Sequence, residues 1–245
     1  MRRALALTPV LVAACVLIAC GNDKEPPGRE SAPPQTTAST ATTEVPVVAP
    51  RRTKDGCAPV AAFVPRPEQR LSRPRRKLDR SLRQSAKLRT NCGTIRITLD
   101  VREFPKTVRS FMRLARAGFY DGLSFYRIAK PGGNDFVIQG GDPAGEGVGG
   151  PGYSVVERPP SGVRYPVGTV AMAKAADEKA GTSGSQFFIV TGKGAALDPV
   201  YAIVGRVTKG LGVVRRIAAV PADPVTETPI DPVIIKKVTI GESKP

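Results

Sequence analysis

The sequence predicts a mainly β domain, a closed and mostly antiparallel barrel with two helices, behind an N-terminal extension that does not fold. Three observations predict it. Short apolar alternations recur between Lys87 and Ile240, the period-two pattern of half-buried strands. Only two stretches carry helical spacing. Glycines and prolines punctuate the segments, and many short strands with so few helices are best accommodated by closing a sheet on itself.

Taken in order, the chain opens with Arg2 and Arg3 and an apolar run from Ala4 to Ala19. The run is short for a membrane span and suits a secretory leader over residues 1–19. It ends Leu17-Ile18-Ala19-Cys20-Gly21, which resembles the lipobox of bacterial lipoproteins. That resemblance implies acylation of Cys20 and a lipid-anchored protein on the extracytoplasmic face of the cell membrane. Residues 20–55 hold no aromatic side chain and are rich in proline and threonine. Such a composition buries too little to fold and reads as a tether. Residues 56–86 form a basic lead-in, with Arg66, Arg70, Arg73, Arg75, Arg76 and Lys77 close together. A solvated, partly helical segment is the expectation there. Phe63 is its only aromatic residue, so it lacks a stacking platform for single-stranded nucleic acid.

The domain proper is expected over residues 87–245. Ile95, Ile97 and Leu99 alternate in a strand from Thr94 to Asp100. Pro105 suits the first turn of a helix. Val108, Phe111, Met112 and Ala115 give that helix an apolar face, and Gly118 ends it. Strands follow at 124–128, 136–139, 168–174, 186–191, 201–207 and 233–240. Leu211, Val214 and Ile217 mark a second helix over Leu211–Ala218. The glycine-rich stretch from Gly140 to Gly152 lacks the Gly-Lys-Ser/Thr ending of a phosphate loop and precedes no helix, so it is not read as nucleotide-binding.

Composition removes whole classes of chemistry. The chain has no histidine, which excludes Ser-His-Asp and Cys-His catalysis and any His-based metal site. The four cysteines, Cys15, Cys20, Cys57 and Cys92, show no Cys-x-x-Cys spacing, so no metal is expected. In an exported protein Cys57 and Cys92 are expected to pair, with two free buried thiols as the alternative. A net charge of +16 favours anionic surfaces such as lipid or envelope polymers.

One charged residue stands out. Arg127 interrupts the apolar run Ser124-Phe125-Tyr126-Arg127-Ile128. A buried guanidinium without a partner is costly, so Arg127 either has a carboxylate partner or faces a site. Phe125-Tyr126-Arg127, Phe136-Val137-Ile138-Gln139-Gly140-Gly141-Asp142, Ala171-Met172-Ala173-Lys174-Ala175 and Gly184-Ser185-Gln186-Phe187-Phe188-Ile189 occur in that order. Together they resemble the cyclophilin family of peptidyl-prolyl cis-trans isomerases over about residues 87–242.

The resemblance implies an eight-stranded antiparallel barrel capped by two helices, prolyl isomerase activity, no cofactor, and proline-containing polypeptides as substrates of a monomer. It implies Arg127 as donor to the substrate amide, with Gln139, Phe136 and Phe188 beside it as catalytic residues. Val137, Phe188, Leu197 and Phe136 would floor the proline site, and Tyr201 would close its rim. Ala173, Lys174 and Gln186 would border the groove for the residue before proline. Phe187 should point into the core instead. Tyr126 stands where the family often has histidine, Val137 where methionine is common, and Lys174 where asparagine is usual. Pro131-Gly132-Gly133-Asn134 lengthens the turn between Arg127 and Phe136. A module that binds proline-containing peptides with little turnover is the alternative function.

Overall fold

The computed structural model describes residues 56–244 apart from Glu68 and Arg76. The expected leader, the Cys20 acylation site and the tether lie outside the described residues. The elements run β1 (Arg83–Thr90), β2 (Gly93–Leu99), α1 (Pro105–Arg116), β3 (Arg127–Ala129), β4 (Val137–Gly140), β5 (Val155–Val156), β6 (Thr169–Met172), β7 (Thr182–Ser183), β8 (Phe187–Val190), β9 (Ile203–Lys209), α2 (Leu211–Ala218) and β10 (Ile235–Ser243). A single 3-10 turn at Pro131–Gly133 joins β3 to β4.

Eight strands pair antiparallel in the order β10-β1-β2-β9-β6-β8-β4-β3, and β5 pairs with β7 apart from them. The sheet curls into a half-barrel but does not close, which corrects the closed barrel expected from the strand pattern. The reason is local. β3 is three residues long and runs into Pro131, while Pro229 and Pro232 precede β10. Proline has no N–H to give a ladder. What remains between the two edges is one isolated bridge, Ser124 to Ile234, and a few backbone bonds such as Phe125 N–H to Val233 O at 2.8 Å. The outer edge of β3 is met by a loop, through Ile128 N–H to Glu227 O at 2.8 Å.

Alternation along the central strands sends side chains to two separate apolar clusters. Ile138, Val170, Met172, Phe187 and Ile189 join the main core with α1 and α2. Their neighbours Val137, Ala171, Phe188 and Val190 form a second cluster on the other face. Phe187 is fully buried and meets Phe111, Tyr120 and Phe125 edge-on, with centroids 5.6–6.0 Å apart.

The helices follow their patterns. α1 buries Val108, Phe111, Met112 and Ala115, and proline occupies its first turn. No side chain of its own caps it; the Glu157 carboxylate accepts from Lys106 N–H at 3.0 Å and Thr107 N–H at 2.7 Å, satisfying two of the donors a helix start leaves open. α2 begins after Gly210, whose φ of +89° and close approach to Thr94 O leave no room for a Cβ.

The basic lead-in differs from the expected solvated, partly helical segment. Residues 57–67 and 69–75 carry no helix or strand, with prolines at 59, 65, 67 and 74. Phe63, Leu71 and Leu78 pack on the core. Arg66 N–H bonds Pro143 O and Leu71 N–H bonds Pro151 O, both at 2.9 Å. Arg66 Nη2 donates to Phe119 O at 2.5 Å, and burial lowers the guanidinium's pKa. The segment is thus strapped along both ends of the glycine-rich loop. β1, Arg83–Thr90, is a strand the sequence pattern did not predict; Gln84, Ala86, Leu88 and Thr90 are its buried alternates, with Ser85, Lys87 and Arg89 between them.

Cys57 and Cys92 are joined by a disulfide that closes a separation of 35 residues. On the chain-entropy estimate a loop of this size stabilises by about 4 kcal/mol, an upper figure. Reduction, or Cys57→Ser with Cys92→Ser, should therefore lower the melting temperature by several degrees. Equal melting curves with and without reductant, with mass spectrometry confirming both redox states, would contradict this.

Candidate active site

The register of the strands assembles the site. Arg127 on β3 lies opposite Gln139 on β4, Gln139 opposite Phe188 on β8, and Phe188 opposite Ala171 on β6. Residues directly opposite in adjacent antiparallel strands share a face, so a polar pair and an aromatic ring fall in one row. The next row holds Ala129, Val137 and Val190. A cation, an amide and an apolar floor are brought together from segments sixty residues apart by pairing alone.

The floor consists of Val137 and Phe188, 3% and 4% exposed, and half-buried Phe136, Ala173, Leu197 and Tyr201 pack around them. Tyr201 meets Phe188 edge-on at 5.3 Å. Its backbone is held by Tyr165, whose hydroxyl donates to Tyr201 O at 2.8 Å and accepts from Tyr201 N–H at 3.1 Å. Burial raises the Tyr165 pKa, so the phenol keeps its proton.

Arg127 meets the first of the two sequence alternatives. It has a carboxylate partner, Glu227, with Nε to Oε2 at 2.5 Å, and its side chain is still 37% exposed. Nη1 donates to Gln139 Oε1 at 3.1 Å. Nη2 makes no hydrogen bond among the described residues.

Gln139 belongs to a further network. Its Nε2 donates to Tyr126 Oη and, at 3.2 Å, to Gln186 Oε1. Tyr126 Oη donates to Gln186 Oε1 at 2.6 Å, and Gln186 Nε2 donates to Gly149 O at 3.0 Å. Burial, with the Asp142 charge adding to it, pushes the Tyr126 phenol above its ordinary range. It stays neutral and can donate and accept at once.

Gln139, Ala173, Lys174 and Gln186 line a groove of about 480 Å³ whose opposite wall is the glycine-rich stretch 147–152. Asp142 shapes that wall. Its carboxylate is buried and accepts from the N–H groups of Ala144, Glu146, Gly147 and Val148 at 2.5–3.1 Å. A Cβ at Gly149 would collide with Asp142 Oδ1. The loop's donors are spent on its own side chain. Lys174 folds back on its own backbone at the groove's edge, its Nζ donating to Ala175 O at 2.6 Å. The added turn Pro131-Gly132-Gly133-Asn134 is exposed, and with Phe136 it walls a separate groove of about 1120 Å³.

Known proteins resemble this chain. Residues 85–240 match the family described as cyclophilin type peptidyl-prolyl cis-trans isomerase/CLD. The chain belongs to the cyclophilin-type peptidyl-prolyl isomerases. It is 41% identical over 149 residues to peptidyl-prolyl cis-trans isomerase-like 1 of Neurospora crassa, covering 58% of this chain and 87% of that protein. It is 38% identical over 174 residues to peptidyl-prolyl cis-trans isomerase B of Streptomyces anulatus, covering 63% and 95%. Its structure resembles a Cryptosporidium parvum cyclophilin-type isomerase solved in the presence of the dipeptide Ala-Pro, with TM-score 0.58, 31% identity and coverage of 65% and 99%. These relatives support prolyl isomerase activity for this cyclophilin domain.

Sequence reasoning missed three contributors. Tyr126 was noticed as a departure without a role. Asp142 ends the Phe136-to-Asp142 motif, but only the folded loop reveals its four donors. Glu227 lies 100 residues from Arg127 in a loop with no motif. The signal for it was indirect: a half-buried arginine needs a carboxylate. Asp142→Ala should release the loop, raise KM for X-Pro peptides several-fold and speed hydrogen exchange at the Gly147 and Val148 amides. Unchanged exchange at both amides would show that the carboxylate does not hold the wall.

Proposed function

We propose that this cyclophilin domain isomerises X-Pro bonds of exported proteins, using Arg127 as a fixed donor over the Phe136, Val137, Phe188 and Leu197 floor. The observation that carries this reading is the single row of Arg127, Gln139 and Phe188.

The chemistry follows from the peptide bond. Amide resonance keeps the bond planar, and rotation about X-Pro faces a barrier of about 20 kcal/mol. Twisting breaks the resonance and returns the lone pair to nitrogen. A planar amide nitrogen is a poor acceptor; a twisted one accepts a hydrogen bond. A donor fixed beside that nitrogen therefore binds the transition state better than either planar isomer, which is what catalysis requires. No nucleophile or proton transfer is needed, which suits a chain without histidine. Arginine stays charged at any working pH and offers a rigid fork. The apolar floor takes the proline ring, and Gln139 and Gln186 present polar groups to the substrate backbone. Residues before proline run into the groove beside Ala173.

The site's setting is the second part of the proposal. Acylation at Cys20 would tether the domain to the membrane, and its positive charge would favour anionic envelope polymers. The Cys57–Cys92 disulfide supports an oxidising compartment.

Exchange spectroscopy on an Ala-Pro peptide tests the chemistry. Arg127→Ala should lower kcat/KM by about 10²–10³, the usual cost of removing a preorganised donor, and Arg127→Lys should also be poor. Both should melt like wild type. Wild-type binding without accelerated exchange would favour a peptide-binding module instead. Cys20→Ala should move the protein from the membrane to the soluble extracytoplasmic fraction; retention in the membrane would contradict the anchor.

A further inference from the structure

Glu227 is unusual twice over. Among the described residues it is the one non-glycine position with positive φ, at +58°. It is also the carboxylate on Arg127. The left-handed region is disfavoured for a residue with a Cβ, and such a backbone persists only where its surroundings impose it.

Those surroundings are specific. Asp223 Oδ1 accepts from Val225 N–H at 2.9 Å, Thr226 N–H at 2.7 Å and Thr226 Oγ1 at 3.1 Å. Glu227 N–H bonds Asp223 O and Asp223 N–H bonds Thr228 O, at 2.8 and 2.9 Å. Ile128 N–H then fastens Glu227 O to β3, one residue from Arg127. The turn therefore places its carboxylate on the guanidinium edge that Gln139 does not occupy.

A guanidinium is planar and rigid. Glu227 holds Nε and Gln139 holds Nη1, and fixing two of its nitrogens fixes the third. Nη2 is the donor left over. We propose that Glu227 is a positioning residue for isomerisation, locking the Arg127 plane before substrate arrives so that Nη2 meets the prolyl nitrogen. This rests on Arg127 being the donor. The strained turn at 223–228 serves the site and not the stability of the fold, for which a glycine at 227 would be the better residue.

The test compares wild type, Glu227→Gly, Glu227→Gln and Arg127→Ala in the full chain, by exchange spectroscopy at saturating Ala-Pro peptide, thermal melting and the ¹⁵N resonance of Arg127 Nε. Glu227→Gly should lower kcat roughly ten- to hundred-fold, the scale of loss from a misplaced group, with KM little changed. Its melting temperature should hold or rise, because glycine adopts the turn without strain. Glu227→Gln should recover part of kcat, since its amide oxygen still accepts from Nε, and both should shift the Nε resonance. Full kcat in Glu227→Gly, or a loss matched by a lower melting temperature, would overturn the positioning role. Full activity in Arg127→Ala would instead remove the donor reading beneath it, so the two failures are distinguishable.

Discussion

The candidate site depends on how one guanidinium is held. Arg127 sits at the open edge of the sheet, where a backbone ladder no longer determines what lies beside it. Glu227 takes one nitrogen and Gln139 another. A free arginine on a three-residue strand would sample many rotamers, and each would aim its charge differently. Held on two sides, its remaining donor has one direction. Solvent still reaches the side chain, so the pair does not seal the cation away.

The rest of the fold supplies the frame for that grip. β4, β8 and β6 are buried on both faces, with large aromatics toward the main core and the apolar floor toward the site. Position therefore propagates: Phe187 packed against Phe111 and Tyr120 fixes the pleat that presents Phe188. The glycine-rich wall is held from inside by Asp142 and from outside by the lead-in strap, which the Cys57–Cys92 bond ties down near its start. Polar contacts then join the wall to the cation, through Gly149, Gln186 and Gln139. A shallow surface site with no enclosing cavity gains its order from these chains of contact.

Much of this was legible in the residues. The second helix spans Leu211–Ala218 as its apolar spacing predicts, and Pro105 and Gly118 bracket the first. Those signals are local, and local chemistry decides them. The closure of the barrel was not legible, because it depends on whether Ser124–Ala129 and Val233–Ile235 meet over many residues or few. The strand at Arg83 was hidden because its solvent-side alternates include exposed Arg83 and Arg89 and half-buried Lys87, which read as part of a charge run. The lead-in read as solvated because Phe63, Leu71 and Leu78 are sparse, yet each finds an apolar partner. Within the site, strand register could be anticipated from motifs, but a partner across 100 residues could not.

A structure of the domain with an Ala-Pro-containing peptide, determined by crystallography or by intermolecular NMR contacts, tests the central claim most directly. The proline ring should lie on Phe136, Val137 and Phe188, with Arg127 Nη2 the donor nearest the prolyl nitrogen and the Glu227 and Gln139 contacts intact. A ring seated elsewhere, or a guanidinium turned away from the amide with Nη2 in solvent, would contradict it.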